Sequence, residues 1–420
     1  MLGREESMTQ KLTDKKSIRL LTVLSWMIYF SSYITRLNFG AILVEFIQSE
    51  GIMKSAASAI TTALFVTYGV GQLLSGYLGD RVSPRLLIFG GLLTASVCNI
   101  AMPLVSPAIG AMTIVWGING IAQAMMWPPL VKICASALSS ENYNRLMPVI
   151  GTSCAAATIV IYLISPLIIS ISGWKPVFYI TAAVATLAAL AWFILTAPLL
   201  KNISFAPATL KEKKEGEVVA VNKAVWRLLP MILLSIAMLG ILRDGITTWM
   251  PTFISETFKV ESTVSILTGV AIPATHMFIG LTTYKVLVAM KRDVFAAIGL
   301  YFAATTSFLI LLWVSGTNSM LLSTLFIALG SGGLHGINSL QTYYLPELLG
   351  GTGKISFYAG LINSATYVGS AVSTYLFAVI SEMHGWDATV VSWVIFAAAG
   401  LALTVACMLS LRRKGNAGRV

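Results

Sequence analysis

The chain has 420 residues, 56% of them hydrophobic and only 11% charged, with a mean hydropathy of +0.82. Soluble domains carry charge on about a quarter of their residues, so this composition excludes a soluble enzyme or binding module and requires an integral membrane protein. The formal charge of +11 comes from basic residues scattered over short loops, with no soluble face to gather them into a nucleic-acid groove.

A helix needs about 20 mainly apolar residues to cross the hydrocarbon core. Twelve such runs follow one another: 20–46, 55–78, 86–104, 109–133, 146–171, 176–198, 227–254, 263–287, 294–314, 319–345, 353–380 and 388–410. The polar start leads into the first run without a cleavage pattern, so that run is expected to remain as the first helix. With both termini in the cytoplasm, only Lys54, Lys175 and Lys259 of the 28 Lys and Arg fall in outer loops, and Arg36 and Arg243 fall within the membrane. The opposite orientation would break the enrichment of Lys and Arg in short cytoplasmic loops.

One long hydrophilic stretch, 201–222, carries the charge run KEKKEGE and separates the first six runs from the last six. It divides the chain into an N-terminal bundle, 1–200, a cytoplasmic linker, 201–225, and a C-terminal bundle, 226–420. The halves keep register: Arg243 follows Arg36 by 207 residues, and Gly385-Trp386 follows Gly173-Trp174 by 212. The expected fold is therefore all-α and integral to the membrane, with twelve transmembrane helices in two pseudo-symmetric six-helix bundles. Duplicated units of this kind place a ligand near the bilayer midplane, between the repeats.

Arg36 lies within YFSSYITRLNFG and Arg243 within ILRDGITTWMP, each inside an otherwise apolar run. A charge at the centre of a membrane helix costs about 2.5–3.5 kcal/mol on insertion scales, so such residues mark a substrate or ion path. A planar guanidinium stays charged and offers a fork of donors to phosphate or carboxylate. Two of them, one per half, point to one anionic ligand between the bundles. The competing reading is a structural ion pair for each, with Asp244 or Glu45 as partner.

Tyr29 and Tyr33 precede Arg36 by seven and three residues on the same helix face and are candidate ligand contacts. Glu45 lies nine residues beyond Arg36, which places it near the outer mouth as a gate. His335 belongs to the glycine-rich GSGGLHGIN, followed one or two turns on by Asn338, Gln341 and Thr342, a polar interruption suited to a cavity wall. His276 and Asp244 are candidates for coupling, with a structural role open for each. Tyr358, Asn363 and Tyr367 in the eleventh run are further candidates. The four cysteines, Cys98, Cys134, Cys154 and Cys407, show neither disulfide nor zinc spacing. The chain lacks a P-loop and a catalytic constellation, so no cofactor, metal or enzymatic reaction is expected.

Between the second and third runs lies GYLGDRVSPR, residues 76–85, in which Asp80, Arg81 and Arg85 can form charge-assisted hydrogen bonds across a tight turn. This stretch resembles the signature loop of the major facilitator superfamily, and the twelve runs and central linker agree with that fold. Around Tyr284, Lys285 and Arg292 the corresponding loop of the second half is degenerate and without the acidic partner. A narrower resemblance rests on Tyr29, Tyr33, Arg36, Asn38 and Phe39, on the stretch from Tyr68 to Arg85, on WPP at 127–129 and on LRDGITTWMPTF at 242–253. These residues are similar to the organophosphate:phosphate antiporters, which include the bacterial glycerol-3-phosphate and hexose-phosphate transporters.

The resemblance implies that Arg36 and Arg243 hold the phosphoryl group; Asn38 and Gln72 are counted with them as candidate contacts, and Asp80, Arg81, Arg85 and Glu45 as candidates for the conformational change. Three positions depart from the best-known members: Leu37 and Gln72 each stand where a lysine is usual, and a residue near Cys154 where a histidine is usual. The expected function is exchange of a phosphate ester for inorganic phosphate. Proton-coupled symport of a carboxylate or sugar acid, and a non-transporting sensor of a small anion, are the alternatives. The expected partners are the small anion, inorganic phosphate or protons, and the lipid bilayer, for a monomer in a bacterial cytoplasmic membrane.

Overall fold

A computed structural model describes residues 11–78, 82–203, 205, 227–315, 318–350 and 355–413. Its helices, in chain order, are α1 (Lys15–Glu50), α2 (Lys54–Leu78), α3 (Pro84–Val105), α4 (Ile109–Ala124), α5 (Trp127–Ala137), α6 (Ser140–Ser172), α7 (Lys175–Leu199), α8 (Leu229–Phe258), α9 (Ser262–Thr268), α10 (Ala271–Ala289), α11 (Val294–Ser315), α12 (Met320–Tyr343), α13 (Leu345–Gly350) and α14 (Ile355–Arg413). Ten segments among the described residues are long and apolar enough to cross a membrane. The last of these is two helices joined at Gly385, whose φ of 78° and ψ of −178° break the helical path. The 25-residue α2 adds a further crossing, which completes the twelve expected.

Local chemistry explains several boundaries. Asp14 caps α1: the Ser17 amide donates to its carboxylate at 3.0 Å and holds that carboxyl below its usual range. The fourth expected span, 109–133, is broken after Ala124, where Trp127-Pro128-Pro129 starts α5 with proline in the first turn. The eighth span likewise divides into α9 and α10 around Gly269. Asp80 and Arg81 of the signature loop, and the charge run of the linker, lie outside the described residues.

Apolar packing divides the molecule by depth. One core draws on both halves, from Phe39 and Trp116 to Trp249, Phe253 and Trp393. A second holds Leu21, Ile88, Leu130 and Trp192 from the N-terminal half alone. A third holds Ile232, Phe295, Leu349 and Leu411 from the C-terminal half alone. The bundles are thus welded at the end carrying residues 44–55, 174, 253–262 and 382–393. At the end where each half begins and finishes, each bundle keeps its own core. Lys54, Lys175 and Lys259 all sit at the welded end, as the charge distribution of the sequence requires.

The start of α3 is tied to α7: Arg85 donates through Nε to Thr196 Oγ1 at 3.0 Å and through Nη2 to the Phe193 carbonyl, and lies over the Phe193 ring. At the equivalent place in the other half, Asp293 is buried, caps α11 and accepts from Arg412 at 2.9 Å. The expectation of a loop without an acidic partner is therefore corrected. The acid is Asp293, which follows Arg292, and its cation comes from the end of the last helix.

Candidate functional site

Both membrane arginines lie deep in their helices, Arg36 in the 36-residue α1 and Arg243 in the 30-residue α8. Helix crossings made of small residues bring their neighbours into reach. A Cβ on Gly240 of α8 would stand 1.9 Å from the Thr366 carbonyl oxygen, and one on Gly369 would stand 2.2 Å from that of Ala237. The α8 and α14 backbones therefore touch, and only glycine permits it. A similar crossing of α4 on α2 at Gly120, where a Cβ would meet the Leu64 carbonyl oxygen at 2.5 Å, fixes the backbone that carries Tyr68.

Arg36 is held by aromatic faces. Its guanidinium carbon is 4.4 Å from the Tyr68 ring centroid, 5.6 Å from Tyr367, 5.7 Å from Tyr33 and 5.9 Å from Phe65. Ring quadrupoles attract a cation without neutralising it. No carboxylate forms an ion pair with Arg36 among the described residues, and its buried Nε has no hydrogen-bond partner. This is an under-satisfied donor at the place where the sequence calls for an anion.

Arg243 is held by hydrogen bonds. Its Nε donates to Asp244 Oδ1 at 3.0 Å, its Nη2 to Asp244 Oδ2 at 2.7 Å, and its Nη1 to Asn338 Oδ1 at 2.8 Å. Ser370 on α14 donates its hydroxyl to Asp244 as well. Adjacent residues leave a helix about 100° apart, but the long arginine side chain folds back to close a two-bond pair with its neighbour. The structural partner foreseen for Arg243 is thus present, while Arg36 has none among the described residues.

Tyr367 joins the two. Its ring centroid lies 5.6 Å from the Arg36 guanidinium carbon and 5.7 Å from that of Arg243, so the two cations are separated by at most the sum of those distances. This ring comes from α14 of the C-terminal half and packs, tilted by 58°, at 4.5 Å from Tyr68 of the N-terminal half. Tyr29 and Tyr33 extend the wall, with ring centroids 5.1 Å apart and Trp127 at 4.7 Å from Tyr29. Gln72 stands one turn beyond Tyr68 on the same face of α2, and Asn363 one turn before Tyr367 on α14. His335 stacks on His276 at 4.6 Å, and His276 shares a 2.9 Å hydrogen bond with Ser331 inside the C-terminal bundle.

Three candidates lie elsewhere. Asn38 is fully buried in the N-terminal bundle, donating to Asn99 Oδ1 at 2.6 Å and Thr181 Oγ1 at 3.0 Å. Gln341 lines a small apolar void with Ile232, Ser235, Phe295 and Thr404, and Tyr358 packs into the C-terminal half's own core. Tyr68, Phe65 and Ser370 are site neighbours that the sequence reading did not select. An aromatic on α2 shows no sign in the sequence that it faces α1.

At the welded end the halves are latched by polar side chains. Lys54 pairs with Glu256 at 2.7 Å, Gln48 donates to Ser255 at 3.0 Å, the Ser55 amide donates to Glu382 at 2.9 Å, and Ser262 donates to Glu45. The gate expected at Glu45 thus lies on a contact between the two halves.

Among curated proteins, the chain is 25% identical over 250 residues to the glycerol-3-phosphate transporter of Bacillus subtilis, covering 54% of this chain and 55% of that one. It is 28% identical over 152 residues to a probable hexose phosphate transport protein of Chlamydia trachomatis, covering 36% and 33%. To the membrane sensor protein UhpC of Salmonella typhimurium it is 22% identical over 278 residues, covering 60% and 61%. The chain thus spans between a third and about three fifths of the length of these relatives. A bacterial homologue of the human lysosomal transporter Spinster, solved inward-facing and occupied, superposes with a TM-score of 0.76 at 12% identity, over 97% of this chain and 99% of that one. The model of the Major Facilitator Superfamily matches residues 25–374, and the chain belongs to that family.

Proposed function

We propose that the chain is a secondary transporter that exchanges a phosphate ester for inorganic phosphate by alternating access. The carrying observation is the pair of guanidinium groups supplied by opposite halves and bridged by one ring, Tyr367, with Arg36 in no ion pair among the described residues. An anion seated there neutralises the repulsion between the arginines and lowers the cost of bringing the bundles together around it. An empty carrier crosses poorly and a loaded one crosses well, which makes transport an exchange. The similarity to glycerol-3-phosphate and hexose phosphate transporters supports a phosphate ester as ligand. With both termini in the cytoplasm of a bacterial cell, the welded end faces outward, and Glu45, Lys54, Glu256 and Glu382 form the outer gate.

The test uses purified protein in liposomes loaded with inorganic phosphate. Uptake of labelled phosphate, competed by phosphate esters, carboxylates and sugar acids, is expected in wild type and lost in Arg36→Ala. One observation favours a second reading, proton-coupled uptake of a carboxylate: Asp244 already neutralises Arg243. Uptake that ignores internal phosphate and follows the pH gradient would establish it. Binding without uptake of any anion would instead indicate a sensor.

A further inference from the structure

The aromatic and hydrogen-bonded arginines differ in charge balance, and the difference limits what the site can hold. Around Tyr367 and Arg36 the described ionisable neighbours are Arg36, Tyr29 and Tyr33 from α1, Tyr68 from α2, the Cys154 thiol from α6, Arg243 and Asp244 from α8, and the stacked His276 and His335 from α10 and α12. With tyrosines, thiol and histidines neutral, two cations face one carboxylate. That carboxylate is engaged on both oxygens by Arg243 and held from α14 by Ser370. The resting site therefore carries a single uncompensated positive charge, centred on Arg36.

We infer that Asp244 sets the charge of the transported anion, so that the closed site holds one negative charge and a dianionic phosphate ester enters only together with a proton. The inference rests on the reading of the arginine pair as an anion site and sharpens it to a substrate charge class. A monoanion brings the water-poor centre to neutrality. A dianion would leave one charge uncompensated in surroundings that penalise it heavily. The proton resides on the ester, or on Asp244 if the ester takes over Arg243. In either case one proton from the entry side accompanies the dianion and is released with it, and the Asp244–Arg243 pair closes again.

The test compares two probes of closely similar shape, glucose 6-phosphate and glucose 6-sulfate, in calorimetric binding to the purified full chain between pH 6 and pH 8. The sulfate ester is a monoanion throughout, whereas a phosphate monoester loses its second proton near pH ~6. In wild type, the phosphate ester is expected to weaken by roughly 50-fold over this range as its monoanion disappears, while the sulfate ester stays level. In Asp244→Asn the site gains a unit of positive charge, so the phosphate ester should lose its pH dependence and bind more tightly than wild type at pH 8.

Equal binding of the phosphate ester at pH 6 and pH 8 in wild type overturns the inference, and needs no variant to fold. Retention of the slope in Asp244→Asn also overturns it, assigning the proton to another group such as His335. Failure of both probes, and of inorganic phosphate, to bind wild type and variant alike overturns the anion-site reading beneath it. Charge-dependent binding without exchange in liposomes would leave this inference standing and remove only the antiport mode.

Discussion

Arg36 and Arg243 occupy equivalent places in the two halves, 207 residues apart, yet the chain holds them in opposite ways. The first rests against four aromatic rings with a buried Nε unpartnered, while the second is locked to Asp244 and Asn338. The two halves repeat the positions and not the electrostatics. An arginine on ring faces keeps its charge available, and the unpartnered Nε of Arg36 is open to a ligand. An arginine in a two-bond ion pair is well placed and already half spent, so an incoming anion must share it with a carboxylate.

The sharpest consequence concerns stability. Arg243→Ala leaves Asp244 as an unpaired carboxylate in a site where the pair is 17% and 16% exposed. Breaking one side of a buried pair costs about 3–5 kcal/mol, so thermal unfolding in detergent should show a large loss. Arg243→Ala combined with Asp244→Asn should recover most of that loss without recovering transport. Arg36→Ala removes a cation that has no ion-pair partner among the described residues and only ring contacts to lose, so it should lower the unfolding temperature less than Arg243→Ala. Equal destabilisation by the two single substitutions would erase the distinction.

Ligand affinity should invert that ranking. Hydrogen bonds to charged groups contribute about 1.5–3 kcal/mol, so Arg36→Ala should weaken phosphate-ester binding by roughly 10- to 100-fold. A smaller effect is expected at Tyr68, whose ring is 4.4 Å from the guanidinium carbon of Arg36. A cation–π contact contributes about 1 to 2 kcal/mol, and Tyr68→Ala should therefore cost roughly 5- to 30-fold in affinity. Tyr68→Phe, which keeps the ring, should cost under about twofold by the same principle.

The smallest effect belongs to the latch. Lys54 is paired to Glu256 at 2.7 Å and lies over the Trp386 ring, with Glu256 34% exposed. Partly exposed pairs contribute about 0.2–1 kcal/mol. Glu256→Gln should shift the population toward the conformation open at that end by up to about fivefold, as read from spin-label distances across the gate.

The twelve crossings were legible because long apolar runs announce themselves, and Arg36 and Arg243 because a charge inside such a run is costly. The rotation of each helix about its axis was not legible. Helices surrounded by protein and lipid are apolar nearly all round, so periodicity does not tell which face meets a neighbour. For that reason Asn38, Gln341 and Tyr358 turn into their own bundles while Tyr68 and Phe65 turn onto Arg36. The pairing of Arg243 with Asp244 was legible only as the competing reading of that arginine. Helical geometry separates adjacent side chains, and only the length of arginine, with Ser370 behind the carboxylate, closes the gap. The contact of α8 with α14 depends on Gly240 and Gly369, which are 129 residues apart and carry no local sign of meeting.

The measurement that bears most directly on a shared anion is a double-mutant cycle on ester binding, with Arg36→Lys, Arg243→Lys and the pair. Both lysines keep charge and lose the fork of donors, so binding stays measurable. If one phosphoryl group is held from both halves, the two losses should be strongly non-additive, with a coupling above about 0.5 kcal/mol. Losses that simply add would mean that the arginines serve separate ends, and would contradict a single anion bridging the two bundles.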